Sequence, residues 1–294
     1  MSQAEAGVLT PVAAAGLRRF AGLFRSELAI TFRRWRTLAL LGVLAAVPLL
    51  IGIAVKWQTG DGSQARDSSG EGPAFLTQIT GNGLFLVFAA LAATLPVFLP
   101  MAVAVVAGDA VAGEAGTGTL RYLLVAPAGR TRLLCAKYTS AMVFCLAATL
   151  VVAGSALLAG VALFPVGEVT TISGTQISFA QGLGRAALIA AVVAASLLGV
   201  AAIGLFISTL TDSGVAAMAA TVGLVIAVQI VDTIPQLHAV HPYLFPHYWL
   251  SFADLLRAPV YWDEVVRNLG LQALYAVVFG SAAWARFTAK DIVA

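Results

Sequence analysis

Six stretches of the chain are long, apolar and almost free of charged side chains, and this pattern restricts the fold more than any other feature. A helix needs about 20 apolar residues to cross a bilayer. The chain is 60% hydrophobic and 11% charged, whereas soluble domains have about 25% charged residues. We therefore expect an all-α membrane protein with six transmembrane helices. The predicted spans are residues 38–55, 84–107, 138–164, 184–207, 214–231 and 267–285.

A segment rich in arginine and aromatic residues precedes the first span. On a helix its apolar side chains fall within an arc of about 120°, and its arginines lie on another side. Helices of this composition lie in the membrane interface, and a solvated helix in a soluble N-terminal segment is the alternative. The residues that predict the interfacial helix are Phe20, Phe24, Phe32, Trp35, Arg33 and Arg36.

Lysine and arginine are distributed unevenly between the segments that connect the spans. With the N-terminus inside, the inner segments contain 12 of the 17 cationic residues and the outer segments contain the other 5. Cations collect on the cytoplasmic side of membrane proteins, so we expect a cell-membrane protein with both termini in the cytoplasm. The predicted organisation is a cytoplasmic N-terminus with the interfacial helix (1–37), a six-span domain (38–285) and a cytoplasmic tail (286–294).

Residues 113–120, GEAGTGTL, resemble a phosphate-binding loop that lacks its end. The pattern G-x-x-x-x-G-K-[ST] uses its lysine for phosphates and its Ser or Thr for magnesium, but the chain has Thr119 and Leu120 there. A membrane span precedes the segment instead of a strand. We therefore expect this chain to bind no nucleotide or other cofactor itself. Residues 109–127 instead predict a short cytoplasmic helix between spans 2 and 3, closed by Pro127.

The run GDAVAGEAGTGTLRYLLVAPAGRTRLLCAK, residues 108–137, resembles the signature of ABC-2-type permeases, the membrane subunits of ATP-binding cassette exporters. In that family, span 2 ends in an acid, then Glu, Gly-Thr-Leu, Leu-Leu, Pro, Arg and Lys. PHYWL at 246–250 and RFTAKDI at 286–292 resemble later parts of the family pattern. The matching positions are Asp109, Glu114, Gly118, Thr119, Leu120, Leu123, Leu124, Pro127, Arg130 and Lys137.

The resemblance implies that residues 109–127 contain a coupling helix for a separate cytoplasmic ATPase. Two copies of that ATPase would bind ATP and magnesium, and a second permease subunit, identical or similar, would complete the translocation path. Glu114 would be the charged contact; a solvated loop carboxylate interacting with Arg121 or Arg130 is the alternative. Arg130 and Lys137 could equally bind lipid headgroups. The implied coupling residues are Asp109, Glu114, Gly118, Thr119, Leu120, Arg121, Leu123, Pro127, Arg130 and, from the second inner loop, Asp212.

No Asp, Glu or Lys lies in the middle of a predicted span. Ion-coupled transporters usually have such groups, so their absence counts against a secondary transporter. An apolar path favours export of a lipid, a hydrophobic peptide or a drug-like molecule. A secondary transporter or channel and a non-transporting membrane scaffold are the alternatives. The candidate path residues are Thr94, Pro96, Pro100, Thr221 and Gln229.

The segment between the last two predicted spans, residues 232–266, contains aromatic residues, prolines and all three histidines. Its apolar pieces are too short to span a bilayer, and they predict short helices at the outer interface. His238, His241 and His247 are spaced like metal ligands, but we interpret them as interfacial histidines and expect no metal. The chain also lacks a basic tail, a Ser/His/Asp set and H-E-x-x-H, so neither nucleic-acid binding nor enzyme activity of its own is expected.

Overall fold

The computed structural model describes residues 9–60, 79–118, 129–170 and 173–289. These ranges are almost entirely helical. The helices are α1 (Leu9–Arg33), α2 (Trp35–Gly60), α3 (Phe85–Thr94), α4 (Phe98–Gly116), α5 (Arg130–Leu163), α6 (Phe179–Ser196), α7 (Leu198–Leu210), α8 (Gly214–Thr233) and α9 (Asp263–Ala289). A two-stranded antiparallel hairpin, β1 (Val169–Thr170) and β2 (Gln176–Ile177), precedes α6. Three 3-10 helices, Pro235–Leu237, His241–Tyr243 and Trp249–Leu256, connect α8 to α9.

Among the described residues, six helical segments are long and apolar enough to cross a membrane. The prediction of a helical, multi-span membrane protein is therefore confirmed. Two of these segments are mostly buried in the bundle, and the other four mostly expose their surface, which suits contact with lipid. The two central segments are α4 and α6 with α7, and the outer four are α2, α5, α8 and α9.

The predicted second span, 84–107, is not one helix. The helix stops at 95–97, because Pro96 has no N–H and its ring clashes with the preceding turn. Of the two pieces, α3 has 10 residues and α4 has 19, so only α4 is long enough to cross. Pro100 lies in the first turn of α4, where the backbone N–H groups have no helical partner anyway. Pro48 lies inside α2 without ending it.

The domain boundaries that the sequence predicts fall inside helices. The chain bends at Arg34, so Trp35 and Arg36 begin α2 and do not belong to the helix before it. At the other end α9 continues to Ala289, past the predicted end of the last span at residue 285. These helices thus extend beyond the predicted spans 38–55 and 267–285 and include charged residues near their ends, such as Arg36 and Arg286.

Exposed indoles lie near both ends of α2. The side chain of Trp35, at the start of the helix, is 80% exposed, and that of Trp57, near its end, is 75% exposed. Indoles are enriched where hydrocarbon meets the headgroups. The surface of α2 between them is apolar and includes the exposed residues Leu38, Val43, Leu49, Leu50 and Ile53.

Glycines allow the closest helix contacts in the bundle. A Cβ added at Gly160 of α5 would lie 3.2 Å from the Gly83 Cα and closer still to the Gly83 carbonyl oxygen. A Cβ added at Gly108 of α4 would lie 3.0 Å from the Met218 Cα of α8. Small residues at such contacts let membrane helices pack backbone against backbone.

A buried polar network links the 3-10 helix Trp249–Leu256 to the bundle. The helix breaks at Leu197, between α6 and α7, and the Trp249 indole donates to the Ser196 carbonyl there at 3.0 Å. The Asn268 amide donates to the Ser196 hydroxyl at 2.6 Å, and the Gln272 amide donates to the Phe245 carbonyl at 2.8 Å. Trp249 is 3% exposed, so this short helix is packed into the bundle.

Candidate functional site

A buried lysine joins three helices at one end of the bundle. The Lys137 ammonium, near the start of α5, lies 2.6 Å from Glu114 Oε1 of α4 and 3.1 Å from Glu27 Oε2 of α1. The three side chains are only 2%, 7% and 5% exposed, in that order. Charged groups are stable at such burial only when paired. The ammonium therefore joins two consecutive helices, α4 and α5, to α1, which is distant in sequence.

A second ion pair lies beside the first. The Arg34 guanidinium, at the bend between α1 and α2, contacts the Asp109 carboxylate of α4. This pair is more exposed, at 38% for Arg34 and 15% for Asp109. We call the two ion-paired groups together, Glu27, Arg34, Asp109, Glu114 and Lys137, the ion-pair cluster.

The ion-pair cluster lines a cavity of about 40 Å³, together with Arg36. With Arg36 the cavity has three cations and three anions, so its formal charges balance. A buried water needs about 10–15 Å³, so the space suits a few waters and not a transported molecule.

Contacts along α1 and α5 place Glu27 against Lys137. One turn after Glu27, the Thr31 hydroxyl lies 3.0 Å from the Ser140 hydroxyl of α5, and the Phe32 ring packs on Phe144 with centroids 6.2 Å apart. The predicted amphipathic helix is thus observed, and its C-terminal half packs on the bundle. Its position at a membrane interface stays a prediction. Of the other residues assigned to it, Phe20 and Phe24 stack on each other, and Arg33 ends α1.

The glycines of GEAGTGTL have two different roles. Gly118 has a φ of +72° just after α4 ends, a conformation that favours glycine and turns the chain. Gly113 and Gly116 lie inside α4. A Cβ at Gly116 would lie 2.8 Å from the Asp212 carbonyl oxygen, and one at Gly113 would collide with the Asp109 carboxylate. These two glycines therefore allow close contacts, whereas Gly118 turns the chain after α4.

The same end of the bundle includes the end of α9 and the loop between α7 and α8. Arg130, at the start of α5, donates to the Thr288 carbonyl at 2.8 Å, where a cation also interacts favourably with the dipole of α9. The Trp284 indole donates to the Thr131 hydroxyl at 3.0 Å. Asp212 is exposed beside the end of α4. The predicted coupling residues Asp109, Glu114, Gly118, Arg130 and Asp212 thus lie at one end of the bundle.

Only the first part of the segment predicted to contain the coupling helix, 109–118, lies among the described residues. Residues 109–116 form the last turns of α4 and not a separate helix. The other coupling residues, Thr119, Leu120, Arg121, Leu123 and Pro127, lie outside the described residues.

The environment of Glu114 differs from the exposed position that the sequence suggested. Its carboxylate is buried in α4 and paired with Lys137, so it faces the interior of the bundle. Lys137 is 3% exposed and faces these acids, not a headgroup layer. Sequence reasoning missed two of their neighbours, Glu27 and Arg34. Glu27 is the one acidic residue in the arginine-rich stretch 17–36, and that isolation was the available signal.

Two of the candidate path residues, Thr94 and Thr221, bond to the backbone of the helix in which they lie. The Thr94 hydroxyl donates to the Ala90 carbonyl and the Thr221 hydroxyl to the Ala217 carbonyl, each at 2.7 Å. Such bonds let a hydroxyl pack in an apolar interface. Pro96 interrupts the helix, Pro100 is buried in α4, and Gln229 is half-buried on α8.

Comparison with known proteins identifies a family without assigning an activity. No curated protein matches the chain. The family described as a protein of unknown function, DUF2705, matches residues 63–293, well over half of the 294 residues. The chain therefore belongs to the DUF2705 family.

Proposed function

We propose that the chain is the permease subunit of an ATP-driven exporter of the ABC-2 type. Two permease subunits, identical or similar, would form the translocation path, and two cytoplasmic ATPase subunits would bind and hydrolyse ATP with magnesium. The bundle end with the ion-pair cluster would face the cytoplasm and the ATPases. The chain itself would supply no nucleotide site.

The observation that supports this proposal is the ion pair between Glu114 and Lys137, at 2.6 Å. The two residues lie on either side of segment 119–128 and belong to the pattern that resembles ABC-2-type permeases. A partner that moves this segment would pull on α4 and α5 at their paired ends, and Glu27 would transmit the movement to α1. In this arrangement Glu114 acts as an internal link, and the docking surface is the segment itself.

The position of α4 suits the transmission of such a movement. It packs against α8 through Gly108 and against α7, where Gly204 lies close to Ala107. At glycine contacts the helix backbones pack closely against each other, so a shift of α4 would act directly on α7 and α8. The candidate path residues Pro100, Thr221 and Gln229 lie on α4 and α8, in the second and fifth predicted spans.

The apolar character of the opposite end favours a hydrophobic substrate. A cavity of about 470 Å³ lies between α3 and the 3-10 helix Trp249–Leu256. Its walls include Phe85, Phe88, Leu250 and Phe252, and its volume is in the range of small-molecule pockets. A lipid, a hydrophobic peptide or a drug-like molecule would suit these walls better than an ion.

The experiment that tests this proposal first isolates the ATPase that binds the chain and then changes Glu114 and Gly118. We expect the tagged chain, solubilised from its native membrane, to retain an ATPase with a complete P-loop. In the reconstituted complex, Glu114→Gln and Gly118→Val should abolish substrate-stimulated hydrolysis while the ATPase still binds. Gly223→Val on α8, where a Cβ has nothing within 4 Å, is the control. Unchanged stimulation in both coupling variants, or purification without any ATPase, would contradict the proposal.

A secondary transporter is the second candidate, because the structure buries an acid–base–acid set that the predicted span boundaries excluded. Glu27, Lys137 and Glu114 lie within helices, and groups of this kind serve as proton relays in other transporters. Proteoliposomes without ATPase separate the two functions. Suppose that the unaltered chain takes up substrate when a proton gradient is imposed, and that Glu114→Gln does not. That result would favour a secondary transporter over the permease.

A further inference from the structure

The end of the bundle opposite the ion-pair cluster brings two of the three histidines to one carboxylate. Asp232, in the last turn of α8, lies 2.8 Å from His247, measured between Oδ1 and Nδ1. His241 packs beside His247 with ring centroids 5.8 Å apart. Each of the three side chains offers one ligand atom, and these atoms all lie within 4.8 Å of one another.

From this geometry we infer a binding site for a divalent transition-metal ion, zinc above all, formed by Asp232, His241 and His247. Zinc prefers imidazole nitrogens and carboxylate oxygens at about 2.0–2.2 Å, which places tetrahedral ligand atoms about 3.4 Å apart. The separations in the structure, 2.8 Å for one pair and at most 4.8 Å overall, lie on either side of that value. An ion would displace the proton that His247 Nδ1 donates to Asp232 in this structure, and small side-chain adjustments would then close the site around it.

A hydrogen bond to the backbone prepares His241 for this role. Its Nε2 lies 3.1 Å from the Ile234 carbonyl oxygen, which can only accept a hydrogen bond. Nε2 therefore holds the proton, and Nδ1 keeps the lone pair that a metal requires. Metal-binding histidines characteristically donate their second nitrogen to a carbonyl or carboxylate in this way.

The surrounding backbone favours a cation and restricts the ligands. Asp232 lies at the C-terminal end of α8, where the helix dipole places partial negative charge. Pro235, Pro242 and Pro246 fix backbone angles between the ligands. Asp254, another acid of the same segment, is instead paired with Arg257 at 3.0 Å.

The ligand set also determines which ions to expect. Two imidazoles and one carboxylate suit zinc, copper or nickel, whereas calcium and magnesium prefer oxygen ligands. Three protein ligands leave a fourth position for water or an exogenous group. A bound ion would fix the end of α8 to the 3-10 helix His241–Tyr243. This site is independent of the proposed transport function.

The test is a titration of the full chain with zinc chloride, after purification in detergent without a histidine tag and removal of metal with a chelator. We expect one equivalent of zinc per chain by calorimetry, and no heat from magnesium. His241→Ala, His247→Ala and Asp232→Asn should each weaken zinc binding by at least about tenfold, since even the loss of an outer partner costs 10–100-fold. Asp232→Asn keeps the side-chain size, so its loss of binding cannot come from a cavity.

Two matched variants separate this site from others. His238→Ala removes the third histidine of the same segment, which is exposed and lies outside the cluster, and Cys135→Ser removes an exposed thiol on α5. Both should bind zinc as the unaltered chain does. An equal loss in His238→Ala, binding that depends on Cys135, or no stoichiometric zinc in the unaltered chain would overturn the inference.

Discussion

Glu114 Oε1 and Lys137 Nζ lie 2.6 Å apart and close the two ends of the segment between α4 and α5. Glu27, from α1, completes the charge pairing on the other side of the ammonium. Carboxylates from two other helices thus meet at a lysine that has almost no contact with solvent. Its replacement is the sharpest test of the site.

Lys137→Met should destabilise the protein by about 3–5 kcal/mol, because two buried carboxylates lose their shared partner. Unfolding in detergent, followed by circular dichroism, measures the loss. Arg132→Met, an exposed cation in the first turn of the same helix, is the control and should change stability by less than about 0.5 kcal/mol. Adding Glu27→Gln and Glu114→Gln to Lys137→Met should recover much of the loss. If the triple variant is less stable than the single one, charge pairing is not the cause.

The Arg34–Asp109 pair should contribute far less to stability than the lysine. Because the Arg34 side chain is 38% exposed, water and salt screen the interaction, and exposed pairs contribute about 0–1 kcal/mol. A double-mutant cycle with Arg34→Gln and Asp109→Asn measures this coupling directly. A coupling energy above about 2 kcal/mol would mean that the pair is shielded from water in the membrane, although both side chains are partly exposed in the structure.

Gly160→Ala should separate α5 from the turn at Gly83, because the new methyl group meets backbone that cannot rotate away. We expect a loss of about 1–3 kcal/mol from this overpacking. Gly154→Ala is the matched control on the same helix, since a Cβ there has nothing within 4 Å. It should leave stability unchanged or raise it by up to about 1 kcal/mol. Equal effects of the two substitutions would show that helix propensity, and not the contact with Gly83, determines the change in stability.

Trp249→Phe should cost about 1–3 kcal/mol, because the Ser196 carbonyl at the helix break loses its indole donor in a dry environment. Trp284→Phe removes an indole that is 48% exposed and bonded to an exposed threonine, so water can replace the bond. Its cost should stay within about 0.5 kcal/mol. Comparable losses in the two variants would argue against a buried network.

The number of spans was predictable because charge-free length is a local property. The break at Pro96 was partly predictable, since proline removes a backbone donor, but its outcome, two separate helices, depends on packing. The break at Leu197 has no such local signal. It is stabilised by Trp249, Asn268 and their neighbours, which approach only in the folded bundle.

The membership of the site was predictable only in part, and its arrangement was not. Asp109, Glu114 and Lys137 stand out in the 108–137 run, but Glu27 of α1 and Arg34 at the bend after α1 do not. Glu27 and Lys137 are 110 residues apart, so no window of sequence contains both. Because the second span was predicted to end at 107, Glu114 was assigned to a cytoplasmic coupling helix as a contact to the ATPase. In the structure the helix continues to Gly116, and the Glu114 carboxylate is buried and paired with Lys137.

The exposed indoles of α2 set how deeply that helix sits in a bilayer. Trp35 and Trp57 are 22 residues apart, which is about 33 Å along a helix at 1.5 Å per residue. The hydrocarbon core of a bilayer is about 30 Å thick, so both indoles can reach the headgroup level at once. Sliding the helix along its axis would push one indole into the acyl chains and the other into water. In a thinner membrane α2 must therefore tilt, and through Arg34 that tilt would reach Asp109.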